Sequence, residues 1–189
     1  MPITPIKFNQ RGTTMLEVLV TIAILAVGLL GLAGLQSRLQ ISEMESYQRS
    51  QALILLNDMA SRITTNRTDA ANYVTATPIG AGMVCPTALT TQKDRDKNEW
   101  CMALQGSAER VGTSSVGAMI GGRGCVESID PTTGKYMITV AWQGLVPISA
   151  PPAEVSCGQG SYNSTATGSA CVGDLCRRVV TTIVQISTL

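Results

Sequence analysis

Arg11-Gly12-Thr13-Thr14-Met15-Leu16-Glu17 is the stretch that decides how this chain is read. A basic leader ends at a glycine, and one acid then stands at the head of an apolar run that reaches Leu35. From Val18 to Leu35 the only polar side chain is Thr21. As a helix, Met15 to Leu35 is roughly 31 Å long, close to the roughly 30 Å hydrocarbon core of a bilayer. An ionised carboxylate in such a segment costs on the order of 2.5–3.5 kcal/mol at its centre and less near its end. Glu17 therefore calls for a partner for its charge and is a candidate functional residue. Lys7 and Arg11, with no acid before Gly12, favour a cytoplasmic start and put everything beyond Leu35 on the outer side. Two competing readings are a secretory signal peptide cut near Gly31 and Ala33, and an uncleaved single-span anchor. The apolar run exceeds the roughly 7–15 residues of an ordinary signal segment and contains Glu17, which counts against the first.

Composition agrees with an outer compartment. All six cysteines lie beyond residue 84, on the outer side, and suit an oxidising space. Without Lys7 and Arg11 the remaining chain is almost neutral, which argues against a basic nucleic-acid face. There is no histidine, and aromatic residues make up 4%, so the usual general base is missing. The 189 residues fit one membrane helix and one domain of ordinary size.

The helix is expected to run on past the membrane. Gln36 to Arg67 contains no proline or glycine. Leu35, Leu39, Ala52, Leu55, Leu56, Met59 and Ile63 fall at three- and four-residue steps on one face. Arg38, Glu43, Glu45, Arg49, Asp58 and Arg62 lie opposite, and Asn66 reads as a left-handed cap. From about Thr13 to Thr65 such a helix is roughly 80 Å long. Gly28, Gly31 and Gly34 form a small-residue edge that permits close helix contact. Beyond Asn66 the texture is turn-rich, and Ala70 to Ala118 reads as loop, including the charged knot Asp94-Arg95-Asp96-Lys97-Asn98-Glu99. Cys125 to Ile129 and Lys135 to Trp142 read as strands joined by the turn Asp130-Pro131-Thr132-Thr133-Gly134. In the second, Tyr136, Ile138, Val140 and Trp142 alternate with Met137, Thr139 and Ala141. Arg177 to Ile186 reads as a third strand. One long helix on a small antiparallel sheet is an α+β arrangement.

Gly12, Glu17 and the apolar run together resemble the type IV prepilin family. That resemblance implies cleavage by a prepilin peptidase between Gly12 and Thr13, N-methylation of the new Thr13 amine, and a role for Glu17 as fifth residue of the mature chain. The amine of one subunit then neutralises the carboxylate of its neighbour as the helices bundle. Such a pair is favourable in low dielectric only when its geometry is good, which makes it a register device. The family usually has phenylalanine where this chain has Thr13. Leu16-Glu17-Val18-Leu19-Val20, Gly28 to Gln36, Tyr136 to Trp142 and Arg177-Arg178 are further similar to the minor pilin family called type IV pilus modification protein PilV. The resemblance implies a pilin-like fold: a long N-terminal helix, its first half transmembrane, packed on a small antiparallel sheet with disulfide-stapled loops. The divisions expected are a cleaved leader over 1–12, a transmembrane and assembly half of the helix over 13–35, an amphipathic half over 36–66, and a β-rich head over 67–189. It also implies a structural subunit and no enzyme, held single-pass in the inner membrane with its C-terminus in the periplasm and later part of the pilus. The implied partners are other minor pilins, the major pilin and the peptidase. A minor pseudopilin of a type II secretion system and a membrane-anchored periplasmic binding module remain open as alternatives.

Other chemistry is thin. Asp94, Asp96 and Asn98 sit at alternate positions as in a calcium loop. Glu99 replaces the required glycine, however, and Gln105 stands where a bidentate glutamate is needed, so a solvated charged loop is expected. Cys85, Cys101, Cys125, Cys157, Cys171 and Cys176 contain no CxxC pair, and no histidine is present to activate a thiol. Three disulfides are expected, with all 15 pairings open. No metal or cofactor is called for.

Overall fold

The computed structural model describes residues 14–107, 110–111, 114–115 and 119–186, so Gly12 and Thr13 lie outside the described residues. The chain divides after Ser42 into two units, taken separately below. Helix α1 (Met15–Thr65) begins in the first and ends in the second. In the first unit every residue from Thr14 to Gln40 is exposed. Within the helix, the apolar window is long and hydrophobic enough to cross a membrane, with mean hydropathy 2.7.

In the second unit α1 buries Gln48, Ala52, Leu56, Met59 and Ile63. The amphipathic stripe read from sequence is therefore met from Ala52 onward, with Gln48 added one turn earlier. Leu55 is only half-buried and Leu39 is exposed. Asn66 does not take the left-handed conformation expected of it: its φ is −102°, and a short 3-10 helix (Arg67–Tyr73) follows directly. Tyr73 from that segment is buried in the same core, which gives the chain a reason to keep coiling.

The strands are β1 (Ile79–Gly80), β2 (Arg110–Val111), β3 (Ser114–Ser115), β4 (Arg123–Asp130), β5 (Lys135–Gln143) and β6 (Arg177–Gln185). One sheet has the order β1-β4-β5-β6 with all neighbours antiparallel, and β2 and β3 form a separate small pair. The three strands read from sequence are present within two residues at each end. Strand β5 is central, and its alternation sorts two cores. Tyr136, Ile138, Val140 and Trp142 share one core with Val126 of β4 and the α1 stripe. Ala141 on the opposite face packs with Cys125, Cys157 and Tyr162. A period-2 strand buried on both faces must be covered on both sides, and the segment between β5 and β6 supplies the second cover.

The stretch from Ala70 to Ala118 was expected to be loop, and here the structure corrects the reading. Gln92–Leu104 forms helix α2, and the charged knot lies inside it. Thr91 and Asp94 make a reciprocal capping box: the Thr91 hydroxyl accepts from the Asp94 amide at 3.3 Å, and the Asp94 carboxylate accepts from the Thr91 amide at 3.2 Å. Two of the otherwise unpaired amides of a helix start are thereby satisfied. The Lys93 ammonium and the Thr91 and Thr90 hydroxyls also hold the Asp94 carboxyl below its ordinary pKa. Burial of Trp100, Cys101 and Leu104 along one side completes the helix.

Trp100 needs room that only glycine leaves. A Cβ at Gly124 would stand 2.2 Å from the Trp100 ring, and one at Gly80 would stand 2.4 Å from the Gly122 carbonyl. Gly80 also has φ +118°, a conformation that favours glycine. The indole N–H of Trp100 donates to the Leu55 carbonyl at 2.9 Å, which ties α2 to α1. Three disulfides, Cys85–Cys101, Cys125–Cys157 and Cys171–Cys176, staple α2, the second core and the approach to β6. The architecture is α+β and pilin-like, with the three disulfides expected.

Two outcomes follow for stability. Gly124→Ala forces the added methyl against the indole and is expected to destabilise the head by about 1–3 kcal/mol, the usual scale of overpacking; thermal unfolding of the variant against wild type checks it. Reduction is expected to lower the melting temperature, since a disulfide closing a loop of about 15 residues contributes roughly 3 kcal/mol. Denatured, unreduced protein should show no free thiols, and finding six would contradict the pairings.

Candidate functional site

The candidate site begins where α1 begins. Thr14 precedes the first helical residue, and its carbonyl accepts from the amides of Glu17 at 3.0 Å and Val18 at 3.3 Å. Its hydroxyl accepts from the Glu17 amide at 3.3 Å. A threonine with a glutamate three positions on is the sequence form of a capped helix start, and an acid in the first turn also meets the positive end of the helix dipole. Both effects anchor the helix at this point. The Glu17 side chain makes no ion pair among the described residues, and it is exposed.

Around and beyond it the helix offers apolar surface. Met15, Leu16, Leu19, Ile22, Leu25 and Leu29 are exposed. Nothing approaches within 4 Å of a Cβ built at Gly28, Gly31 or Gly34. Burying this surface in lipid or against other helices is strongly favourable at roughly 25 cal/mol per Å².

The second unit contains two polar clusters, whose α1 members Asp58, Arg62 and Glu45 sequence reading placed on the polar face of the helix and whose Asp96 and Glu99 it placed in a charged loop. Arg62 forks to three acids, with Nε on Asp58 at 2.9 Å and Nη1 on Asp96 at 2.9 Å and on Glu99 at 2.7 Å. Burial opposes its charge, yet the hydrogen bonds it donates to Glu99, Asp58 and Asp96 outweigh that and hold its pKa above the ordinary value. Buried Asp96 also accepts from the Tyr73 hydroxyl and from the Gln92 amide at 2.9 Å. Burial first, and then the bond to Asp96, pushes the Tyr73 phenol up to about 12. A cavity of about 200 Å³ opens beside this cluster, lined by Ser61, Arg62, Thr65, Asn66, Gln92 and Asp96. Arg62 is already saturated by carboxylates, so the arrangement is a structural clamp joining α1, the 3-10 segment and α2. The second cluster pairs Glu45 of α1 with Arg178 of β6 at 3.1 Å, and the same carboxylate accepts from the Leu145 amide at 3.0 Å. Sequence reading missed both because the partners lie far apart along the chain. The Thr91-Asp94 spacing is a signal for the start of α2, and nothing local signals that Asp96 meets Arg62.

None of the six cysteines is free, and among the described residues no His, Cys, Asp or Glu group is arranged to hold a metal ion. Asp94, Asp96 and Asn98 lie on a helix, which cannot wrap an ion as a calcium loop does.

The family model described as the prokaryotic N-terminal methylation motif matches residues 7–33. No curated protein matches the chain, and no solved structure does. The matched motif is a type IV prepilin-like leader; it supports the prepilin family and indicates a type IV pilin-like or pseudopilin subunit. With the apolar helix behind it, the leader fits anchoring in the inner membrane before assembly with other pilins.

Proposed function

We propose that this chain is a minor pilin of a type IV pilus, of the kind called PilV: a structural subunit that joins other minor pilins and the major pilin, primes assembly and sits near the tip. The observation that carries the reading is Glu17, held in the first turn of an exposed apolar helix five residues after Gly12. Residues 1–12 are then the leader, 13–35 the membrane and assembly half of the helix, 36–66 its amphipathic half and 67–189 the head. Before assembly the chain is single-pass, with its C-terminus in the periplasm. The peptidase hydrolyses the Gly12–Thr13 peptide bond, and the freed Thr13 amine is methylated. Methylation keeps that nitrogen positive, and the cation meets the Glu17 carboxylate of a neighbouring subunit. In low dielectric the pair offsets the desolvation of both charges only in good geometry, so it selects one helix register over others.

Gly12→Val is expected to block maturation, because the peptidase must approach the backbone closely at the cut. N-terminal sequencing of the variant from cells checks this; a chain that still starts at Thr13 contradicts the prepilin reading.

Glu17→Ala is expected to leave membrane insertion intact, since it removes a desolvation cost. Recovery with partner pilins should fall sharply, because attraction and register are lost together. Co-purification at the wild-type level would rule out the charge-pair role.

A further inference from the structure

Three side chains enclose polar atoms that meet no hydrogen-bonding partner among the described residues: both carboxamide atoms of Gln48, Oε2 of Glu127 and Oγ1 of Thr139. Such an atom is costly, because it has left water without a replacement partner. Gln48 belongs to α1, which packs on the face of the sheet that carries Ile138 and Val140. Glu127 and Thr139 belong together on the opposite face.

Alternation along β4 and β5 puts Glu127 on the side of Cys125, and Thr139 on the side of Ala141, where the second core lies. Cys125 stands directly opposite Thr139 in the ladder, and Glu127 stands opposite Met137. Glu127 is thus a diagonal neighbour of Thr139, at a separation of roughly 7–8 Å that a long side chain crosses in part. The two residues also share a roof. Ser156 donates its hydroxyl to Oε1 of Glu127 at 2.9 Å, and the next residue, Cys157, is disulfide-bonded to Cys125. Cys157 Sγ lies 3.8 Å from the Thr139 carbonyl oxygen. Beneath this cover Thr139 is 0% exposed.

The chemistry of the two atoms defines what can join them. A carboxylate oxygen only accepts, and a threonine hydroxyl donates once and accepts twice. The two atoms do not bond to each other, so one bridging molecule has to donate to the first and accept from the second. Water does both, with its partners roughly 5 Å apart across it, and a buried water needs at least two polar partners. A hard cation such as calcium asks for about six to eight oxygens. Among the described residues no group of His, Cys, Asp and Glu is arranged to hold a metal ion.

We propose that Glu127 and Thr139 bind one ordered water between them, beneath Ser156 and Cys157. The water donates a hydrogen bond to Glu127 Oε2 and accepts one from the Thr139 hydroxyl. With the direct Ser156 bond at Oε1, it completes a polar bridge from the long β5–β6 connection across β4 to β5. Oxygen-17 relaxation dispersion, which counts long-lived waters, tests this on the mature full-length chain in detergent. Thr139→Val keeps the shape of the side chain and deletes the hydroxyl, and should lower the count by one. Glu127→Met should do the same, because Thr139 alone gives a water one partner where it needs at least two. The double variant should also lose one, since both groups hold the same molecule, and Thr139→Ser should lose none. An unchanged count in Thr139→Val or in Glu127→Met, in protein that still melts cooperatively, overturns the proposal. A loss of two in the double variant overturns it as well, because each group then holds a water of its own. Should Thr139→Val not fold, Glu127→Met decides alone, and a wild-type chain with no long-lived water overturns the proposal outright.

Discussion

The head depends on one contact, the Trp100 indole lying against Gly124. The ring is fully buried, and its N–H reaches the Leu55 carbonyl, so one side chain touches the sheet and both helices. Glycine at 124 removes the side chain that any other residue would place there, and α2 settles onto β4 in the space. Once α2 is seated, Asp96 comes under Arg62 and Tyr73, and Cys101 reaches Cys85. Helix packing, the charge clamp and the first disulfide are therefore consequences of one close approach.

How much of this was legible follows from how local each signal is. The apolar run, Gly12 and Glu17 lie within a few dozen residues, so they could be read together. The β4–β5 hairpin was legible because its turn is contiguous and its strands alternate cleanly. Helix α2 was not, since Lys93, Arg95, Lys97 and Glu99 obscure a buried side of only Asp96, Trp100, Cys101 and Leu104. The polar face of α1 misled in the same way. Arg62 and Glu45 look solvated until Asp96 and Arg178, 34 and 133 positions away, are folded against them. Disulfide pairing was equally closed to spacing arguments, because it depends on which strands and helices become neighbours.

The chain separates two kinds of surface. Its N-terminal unit exposes nearly every apolar side chain it has, and only lipid or other helices relieve that exposure. Its second unit gathers a core from the helices and the sheet and pairs charge at Arg62, Arg177 and Arg178, while apolar side chains such as Ile54, Val84, Ile148 and Ile183 stay exposed. The first unit buries none of its residues from Thr14 to Gln40, and the second carries a core of its own.

The long connection between β5 and β6 has a kinetic meaning. Strands β4 and β5 are joined by a tight turn and pair at little loop-closure cost. Strand β6 follows only after more than thirty further residues, and distant pairings of this kind form late. Until it arrives, β5 is itself the bare margin of the sheet, and its Ile138 and Val140 side chains face a core not yet closed. Arg177, clasped by Asp174 and the Val155 and Cys157 carbonyls, fixes the start of the incoming strand. Native register at β6 thus awaits the ordering of the segment before it, and the folding chain is most open to wrong pairings in that interval.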